Sequence, residues 1–306
     1  MMENKLYTMD LQKRAYIYAI IAVLFWSTVA SAFKIALRSL DFLQLLLYSS
    51  LVSVITTFLI LLTQHKLKVI KQYSKQEYLS SALLGFLNPF LYYVILFKAY
   101  SLLPAQEAQP LNYTWPIVLV LLSIPLLKQR VGASTILAIT ISFIGVLIIS
   151  THGNILSFRF TNLTGASLAL GSTIIWALFW IYNIKDKRDE VAKIFLNFVF
   201  GFIYILVATL LFSKIILPDI SGLLSVTYVG IFEMGITFVV WSKALKLSKT
   251  TAKVSNLIYF APFLSLVVIY LIVGEKILFS TIVGLICIVV GILIQQYKGY
   301  PNSWKD

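Results

Sequence analysis

Ten apolar segments run the length of the sequence, and the joints between them are too short to hold a soluble domain. Each segment has about 20 residues, the length that an α-helix needs to cross a hydrocarbon core of roughly 30 Å. Hydrophobic residues make up 59% of the chain and charged residues only 12%, which excludes an ordinary soluble protein. We therefore predict an all-α integral membrane protein with ten transmembrane helices. The segments lie near residues 15–37, 43–63, 78–98, 103–124, 133–151, 163–183, 191–213, 221–243, 252–273 and 279–297.

Lysine and arginine residues lie mainly on one side of these segments. Counted along alternate joints, nineteen lie on the side that holds both termini and six on the other. Because cytoplasmic joints are enriched in basic residues, this split predicts a multi-pass protein of the cytoplasmic (inner) membrane with both termini in the cytoplasm. Lys13 and Arg14 before the first segment imitate a signal peptide, but that segment is long enough to span the bilayer, so we interpret it as a retained span.

Other classes of protein are disfavoured by the same sequence. The net charge of +13 does not indicate a nucleic-acid partner, because the basic residues alternate with apolar runs instead of covering one soluble face. A single cysteine, Cys287, excludes an internal disulfide framework. The sequence has no zinc-protease helix, phosphate-binding loop or nucleophile elbow, and its two histidines, His65 and His152, lie in joints on opposite sides of the membrane. We expect no enzyme activity, no cofactor and no metal site.

An internal repeat relates the two halves of the sequence. At an offset of 146, Ser134-Thr135 falls on Ser280-Thr281, Gly145 on Gly291 and Pro116 on Pro262, and Trp26 falls on Trp176 at an offset of 150. We assign residues 1–155 and 156–306 to two repeats of five spans each. Because five is odd, the second repeat enters the membrane inverted, which is typical of secondary transporters that bind their substrate near the midplane between the halves.

The segment near residues 103–124 is an unusual helix, because it carries prolines and a carboxylate at membrane depth. An interior proline removes a backbone hydrogen bond, so Pro110 and Pro116 are expected to break this helix and Pro262 its counterpart in the second half. Broken backbone and a carboxylate such as Glu107 are tolerated in a bilayer only inside protein or against a water-filled cavity. This segment is therefore predicted to line a cavity.

Two carboxyl groups, Glu107 and Glu233, are candidates for binding substrate and for carrying a coupling proton. Glu233 lies near the middle of its segment, where a carboxyl can take up a proton from one side and release it to the other. A neutral glutamic acid that makes one interhelical hydrogen bond is the alternative for Glu233. Glu107 lies roughly 6 Å inside the outer end of its segment at 1.5 Å per residue, so a partly hydrated interfacial acid is the alternative there.

Three tryptophans, Trp26, Trp115 and Trp176, lie in the middle of segments, where the interfacial belt does not explain them. Aromatic faces suit a cationic or aromatic ligand, and core packing is an equal alternative. Asn112 is a further candidate, although polar side chains also join helices in membranes. Trp241, near a segment end, is a candidate for the belt. The expected substrate-binding set is Trp26, Tyr92, Glu107, Asn112, Trp115, Trp176 and Glu233.

Small residues recur in the fifth and tenth segments at Ala138, Gly145, Gly284 and Gly291. Small side chains let helix backbones approach closely in a bilayer. We therefore expect these two segments to pack tightly against each other.

The motifs at these positions resemble a known family. GEK at 274–276 opening the last span, FW at 25–26 and IW at 175–176 are similar to the EamA-type family of the drug/metabolite transporter superfamily. NYTWP at 112–116, with Glu107 before it, resembles the branch that contains the aromatic amino-acid exporters. The resemblance implies a proton- or gradient-driven carrier with a central cavity lined by spans 1, 3, 4, 6, 8 and 9. One departure is Lys128-Gln129-Arg130, which stands in the first repeat where the second has Gly274-Glu275-Lys276.

We therefore expect a secondary transporter that exports amino acids or similar small amphipathic metabolites by alternating access, coupled to protons or to another gradient. Export of drugs, organic cations or another metabolite class is the alternative, and a channel or a non-transporting membrane protein is a third possibility. The expected partners are a small-molecule substrate and the lipid bilayer, with the protein acting as a monomer or homodimer.

Overall fold

The computed structural model describes residues 2–127, 133–154, 161–248 and 256–299. These residues form α-helices with short π-helical and 3₁₀ segments, and they contain no β-strand. Besides 6 long apolar segments, these residues contain three shorter apolar helices. The protein is therefore an all-helical protein that crosses the membrane several times. The 6 helical segments long and apolar enough to span a bilayer are Leu11–Ala36, Phe42–Thr63, Lys75–Leu102, Leu163–Asn183, Glu190–Phe212 and Ile220–Ala244.

The helices group into two compact units, and each unit contains segments from both halves of the sequence. The first unit comprises residues 1–90 and 186–273, and the second comprises residues 91–185 and 274–306. The first unit contains α1 (Met2–Ala36), α2 (Phe42–Thr63), α3 (Leu67–Ile70), α4 (Lys75–Gly85), α10 (Glu190–Phe212), α11 (Ile220–Tyr228), α12 (Thr237–Leu247) and α13 (Ala261–Val268). The second unit contains α5 (Tyr92–Leu102), α6 (Ala105–Asn112), α7 (Trp115–Leu127), α8 (Ala133–Ser150), α9 (Leu163–Lys185) and α14 (Phe279–Gly299). The predicted repeat boundary at residues 155 and 156 lies outside the described residues.

Side-chain caps fix where several helices of the first unit begin. The Asp41 carboxylate accepts hydrogen bonds from the backbone N–H groups of Leu43 and Gln44, and the Gln44 side chain accepts one from the Asp41 N–H. Ser74 and Glu77 form the same reciprocal arrangement at the start of α4. Such a capping box satisfies backbone donors that have no partner inside the helix. These helices therefore begin where polar residues precede an apolar run.

In the first unit, α1 packs against α11, α12 and α13, while α2 and α4 pack against α10. Gly85 of α4 lies directly against the backbone of Asn197 and Gly201 in α10, with no space for a larger side chain. A buried cluster of Leu61, Val191 and other apolar residues joins α2 to α10 and α12. The burial of these faces holds the unit together.

An arginine organises the joint that precedes α10. The Arg188 guanidinium donates two hydrogen bonds to the Asp186 carboxylate, with Nη2 at 2.6 Å from Oδ2 and Nε at 3.0 Å from Oδ1. Its Nη1 donates to the Glu77 carbonyl oxygen at 2.7 Å and to the Ser81 hydroxyl at 2.9 Å. The planar guanidinium thus ties this joint to α4, a role that its fixed fork of donors allows.

The pKa values of the two aspartates in this joint are shifted. Partial burial acts to raise the pKa of Asp186, but the hydrogen bonds and positive charge of Arg188 outweigh burial and hold that pKa below its ordinary value. Burial likewise acts to raise the pKa of Asp189, but the Lys66 ammonium, 2.7 Å from Oδ2, and backbone donors of α10 hold it below its ordinary value. Both carboxylates are therefore better stabilised in the folded protein than in the unfolded chain.

In the second unit, α8 and α14 pack at close range, which confirms the prediction from small residues. A Cβ atom at Gly145 would lie 2.5 Å from the carbonyl oxygen of Gly284, and one at Gly284 would lie 2.6 Å from that of Gly145. Gly291 lies against Ser142 and the backbone of Ala138. The two backbones approach this closely because neither carries a side chain at the crossing.

Four spans of the described residues are interrupted by proline or by a wider helical turn. Pro110 lies inside α6, and Pro116 is the second residue of α7, so the interruption between the two helices falls at Tyr113 and Thr114. Pro262 is the second residue of α13, which follows a 3₁₀ segment at Asn256–Phe260. A π-helical segment at Phe86–Leu91 precedes α5, and another at Val229–Ile236 precedes α12. Backbone geometry of this kind is frequent at functional sites.

Candidate functional site

Four side chains of the second unit form a cluster that we call the Asn112 cluster: Tyr92, Asn112, Ser172 and Trp176. The Tyr92 hydroxyl donates to Oδ1 of Asn112 at 3.3 Å, and Nδ2 of Asn112 donates to the Ser172 hydroxyl at 3.0 Å. The Tyr92 and Trp176 rings lie 4.6 Å apart between centroids and are tilted by 36°. The cluster therefore combines a hydrogen-bonded amide with two aromatic faces.

Three helices bring the Asn112 cluster together. Tyr92 is the first residue of α5, Asn112 is the last residue of α6, and Ser172 and Trp176 lie one turn apart on α9. Residues four apart share a helix face, so Ser172 and Trp176 point the same way. Asn112 is half-buried, and the other three side chains are buried. The amide thus lies where α6 ends and the span is interrupted.

Aromatic contacts extend from this cluster along α9. The Trp176 and Trp180 rings meet edge to face with centroids 5.8 Å apart, and Phe179 contacts both tryptophans. Edge-to-face packing is a favourable geometry for aromatic pairs. The second unit therefore carries a continuous set of aromatic side chains that begins at Tyr92, the hydrogen-bond partner of Asn112.

A second cluster in the same unit surrounds Glu107, and we call it the Glu107 cluster. Oε1 of Glu107 lies 2.6 Å from Nε2 of His152, and the Thr161 hydroxyl lies 2.9 Å from the same nitrogen. The Thr161 hydroxyl also donates to Oε1 of Glu107 at 3.3 Å. The Glu107 side chain is 1% exposed and that of His152 is 44% exposed. A buried carboxyl is thus paired with a histidine that reaches the surface.

The chain after α8 positions His152 by backbone geometry. His152 and Gly153 both have positive φ angles, 52° and 85°, and the Gly153 N–H donates to the carbonyl oxygen of Ile148 at 2.8 Å. Left-handed residues commonly end a helix in this way. The Thr161 N–H donates to the carbonyl oxygen of Ser150 at 3.2 Å, which holds Thr161 next to the same helix end.

A third set of contacts fixes the start of α6. The Glu275 carboxylate accepts hydrogen bonds from the backbone N–H groups of Ala105 at 2.9 Å and Gln106 at 3.1 Å. The Gln106 side chain donates to the Lys276 carbonyl oxygen at 2.7 Å and accepts from the Leu278 N–H at 2.9 Å. A carboxylate at a helix N-terminus satisfies free donors and complements the helix dipole. Glu275 therefore caps α6 from the joint before α14.

The first unit has its own aromatic cluster around Trp26. The Trp26 and Trp241 rings meet edge to face with centroids 5.3 Å apart. Both side chains are buried, so Trp241 lies in the interior of this unit and not in an interfacial belt. The next residue along the chain, Phe25, packs on Phe232, and the Thr28 hydroxyl lies 2.6 Å from that of Tyr228. This cluster joins α1 to α11, α12 and the π-helical segment between them.

Glu233 lies inside the π-helical segment Val229–Ile236 of the first unit, and its side chain is buried. The Ser53 hydroxyl of α2 donates to the Met234 carbonyl oxygen at 2.8 Å, and the Thr237 hydroxyl donates to that of Phe232. These hydroxyls satisfy carbonyl oxygens that the wider turn frees from the regular helical pattern. Glu233 is thus placed in a locally irregular helix with supported backbone.

The structure brings together part of the predicted set. Tyr92 contacts both Asn112 and Trp176, while Glu107 lies five residues before Asn112, about 7.5 Å along α6 at 1.5 Å per residue. Trp115 is the half-buried first residue of α7, beyond the interruption. The remaining two members, Trp26 and Glu233, belong to the first unit.

Sequence reasoning missed four residues of these clusters: Ser172, His152, Thr161 and Glu275. The spacing of Ser172 four residues before Trp176 was the available signal for a shared face. Glu275 is the middle residue of the GEK motif at 274–276. The corresponding residues of the first repeat, 128–130, lie outside the described residues. No three His, Cys, Asp or Glu side chains come together as a metal site within the ranges that the structure describes.

Comparison with known sequences decides the family. The sequence profile of the EamA-like transporter family matches residues 13–151 and again residues 163–295. The chain belongs to the EamA-like transporter family. The family predicted from the GEK, FW and IW motifs is therefore confirmed, and the protein is a multi-pass membrane protein of a transport family.

Similar proteins carry transporter names. An uncharacterized transporter of Clostridium kluyveri is 26% identical over 294 residues, which cover 92% of this chain and 93% of that protein. The aromatic amino acid exporter YddG of Ancylobacter novellus is 26% identical over 161 residues, or 51% of this chain and 54% of that protein. A solved crystal structure aligns with a TM-score of 0.66 at 20% identity, covering 92% of this chain and 96% of the other. The structural likeness shows a shared fold.

Proposed function

We propose that this EamA-family protein is a secondary transporter that exports amino acids or similar small amphipathic metabolites across the cytoplasmic membrane. Membership of the family supports transport, and the partial match to an aromatic amino acid exporter supports the substrate class. The division of basic residues supports an orientation with both termini in the cytoplasm. Its proposed partners are a small-molecule substrate and the lipid bilayer, and it acts as a monomer or homodimer.

The proposed architecture has ten spans in two inverted repeats, residues 1–155 and 156–306. Six long apolar helices, the shorter ones at Ile136–Ser150, Leu257–Val273 and Phe279–Ile294, and the interrupted pair α6–α7 support that number. The two matches to the family profile fall one in each half. Inverted repeats of five spans permit alternating access by exchange between two equivalent arrangements.

The Asn112 cluster is the observation that carries the substrate proposal. An amide presents a donor and an acceptor together, which match the carboxylate and the ammonium group of an amino acid. In the free protein the Tyr92 hydroxyl donates to the amide oxygen of Asn112, and the Ser172 hydroxyl accepts from its amide nitrogen. An amphipathic ligand exchanges these two hydrogen bonds for two of its own. The face of Trp176 suits an aromatic side chain or an ammonium group, worth roughly 0.5–2 kcal/mol per well-placed cation–π contact.

Transport against a gradient is proposed to be coupled to protons through Glu233 and Glu107. Glu233 is a buried carboxyl in a π-helical segment, and Glu107 is a buried carboxyl paired with histidine. One charge moved through about 100 mV is worth about 2.3 kcal/mol, which supports accumulation of close to fiftyfold at about 1.4 kcal/mol per decade. A single proton per cycle is therefore a sufficient driving force.

Growth in the presence of toxic amino-acid analogues tests the export proposal. Overexpression should raise tolerance to aromatic amino-acid analogues, whereas the Asn112→Ala variant, present in the membrane at equal amount, should not. Tolerance that rises only toward organic cations or other drugs would favour the alternative substrate class. Unchanged tolerance across the whole panel would contradict export of amino acids.

A further inference from the structure

We propose that His152 is the proton-transfer partner of Glu107, delivering protons from the outer aqueous phase to the buried carboxyl. The inference rests on the proposed proton coupling, and it assigns to His152 a role that its position in a joint did not suggest. The Glu107 cluster is the only place among the described residues where a histidine contacts a carboxyl group.

The side chains of Glu107 and His152 differ in their exposure to solvent. Glu107 is 1% exposed while His152 is 44% exposed, and their contacting atoms are 2.6 Å apart. Water therefore reaches the imidazole and does not reach the carboxyl. An imidazole takes a proton on one ring nitrogen and gives one from the other, so it can pass protons inward across this contact.

Glu107 and His152 each lie at the end of a helix, where the helix dipole acts on the charge of the side chain. Glu107 is the third residue of α6, where the helix dipole favours a negative charge. His152 lies two residues beyond the end of α8, where the dipole favours a positive charge. Burial disfavours the charged form of Glu107, and the Glu275 carboxylate, bonded to the N–H groups of Ala105 and Gln106, places a second negative charge at the same helix end. The helix dipole favours the charged form of Glu107 and burial favours the neutral form. A carboxyl under both effects can repeatedly gain and lose a proton.

Other polar groups of α6 are already engaged in hydrogen bonds. From α5, the Tyr100 hydroxyl contacts Gln109; from the joint before α14, Glu275 caps α6 and Lys276 contributes its carbonyl oxygen. Thr161 bridges the pair by contacting both Nε2 of His152 and Oε1 of Glu107. The second carboxyl oxygen, Oε2, is buried and has no hydrogen-bond partner among the described residues. Oε2 is therefore the position available for a bound proton.

Helix α6 links this proton site to the Asn112 cluster. Its eight residues carry Glu107 in the first turn and Asn112 at the last position, and Glu275 holds the N-terminal end. A change of charge on Glu107 acts on a short element whose other end contacts Tyr92 and Ser172. The proton and the substrate can thus influence each other through one short helix.

Transport by purified protein in vesicles tests the role of His152. Labelled L-phenylalanine is the probe, and His152→Gln is the variant, because glutamine keeps a hydrogen-bond donor but does not bind a proton near neutral pH. We expect the initial rate of uptake driven by a pH gradient to fall about 100-fold, a loss typical of removing a proton-transfer group. Exchange at equal pH should be retained. His65→Gln removes the other histidine and should change neither rate, whereas gradient-driven uptake by His152→Gln at the parental rate would overturn the proposal.

A substrate-independent measurement separates this inference from the amino-acid proposal. Thermal unfolding of the parent, Glu107→Gln, His152→Gln and the double variant gives the coupling between the two residues. We expect that coupling to be larger at about pH 5.5 than at about pH 8, because a protonated imidazole adds charge attraction to its contact with the Glu107 carboxylate. If the parent does not transport phenylalanine but the coupling depends on pH, the substrate proposal fails and the proton pair stands. Equal coupling at both pH values would overturn the proton pair.

Discussion

The Nδ2 atom of Asn112 donates a 3.0 Å hydrogen bond to the Ser172 hydroxyl, which joins the end of α6 to the middle of α9. The Ser172 hydroxyl in turn donates to the carbonyl oxygen of Ala169 within its own helix. Asn112 is therefore held by a side chain that is itself fixed by the backbone. This relationship joins the Asn112 amide to the face of α9 that carries Trp176 one turn further along, and sets the geometry on which the substrate proposal depends.

Replacing Trp176 should weaken substrate binding more than it weakens the fold. Trp176→Ala removes the aromatic face beside Asn112, and we expect the half-saturating concentration of labelled phenylalanine to rise about tenfold, equivalent to about 1.4 kcal/mol. Trp176→Phe keeps an aromatic face and should have a smaller effect. Ile174→Ala, at an exposed position of the same helix, is the control for general effects on α9. An unchanged half-saturating concentration in Trp176→Ala would assign this ring to packing alone.

Removing the Glu275 cap should destabilise α6. Glu275→Ala leaves the N–H groups of Ala105 and Gln106 without their carboxylate acceptor, and loss of a helix cap costs about 0.5–2 kcal/mol. The midpoint of thermal unfolding in detergent should therefore fall. Lys276→Ala is a matched control, because Lys276 contacts Gln106 through its backbone carbonyl oxygen and not through its side chain. Equal midpoints for Glu275→Ala and the parent would show that the cap contributes nothing.

Replacing glycine by alanine should lower the stability of the protein at Gly284 and should not lower it at Gly171. In Gly284→Ala the added methyl group would lie 2.5 Å from Cγ1 of Ile149 and 2.6 Å from the carbonyl oxygen of Gly145, and such overpacking costs about 1–3 kcal/mol. In Gly171→Ala the methyl group meets nothing within 4 Å, so the helix should be unchanged or stabilised by about 0.4–1 kcal/mol. Unfolding midpoints of the two variants provide the measurement. A midpoint for Gly284→Ala at or above that for Gly171→Ala would contradict close packing of α8 on α14.

Acid should destabilise the joint that holds Asp186 and Asp189. The pKa of each is lower in the folded protein than in the unfolded chain, so their contribution to stability is present above the ordinary value of about 3.9 and is lost as pH falls through the folded pKa. Unfolding midpoints should therefore fall on acidification below about pH 4, and less steeply in Asp186→Asn. Lys187→Gln changes an exposed neighbour and should keep the parental slope. Identical slopes in Asp186→Asn and the parent would refute this assignment.

Several features of the fold follow from sequence pattern alone. Apolar runs of the right length predicted helices such as α2 and α10 closely, because the bilayer fixes how long an apolar helix must be. Prolines predicted the interruption between α6 and α7, since a proline cannot continue the backbone hydrogen bonds of a helix. The small residues Ala138, Gly145, Gly284 and Gly291 predicted a close helix crossing for the same kind of local steric reason.

The clusters were less predictable because they depend on contacts between distant parts of the chain. His152 was assigned to a joint, and its contact with Glu107, 45 residues earlier, depends on backbone angles after α8 that the sequence does not reveal. Trp241 was a candidate for the interfacial belt because of its place near a segment end, but it packs on Trp26 from the other half of the sequence. Each compact unit likewise contains segments of both halves, an arrangement that the repeat pattern leaves open.

Counterflow of labelled L-phenylalanine in vesicles that contain the purified protein tests the central claim most directly. The account predicts saturable exchange at equal pH in both the parent and Glu233→Gln, because exchange requires no net proton movement. It also predicts that an imposed pH gradient drives accumulation by the parent and not by Glu233→Gln. Accumulation by Glu233→Gln equal to that of the parent would show that Glu233 does not carry the coupling proton. Ohmic current without saturable exchange in the parent would contradict a transporter mechanism altogether.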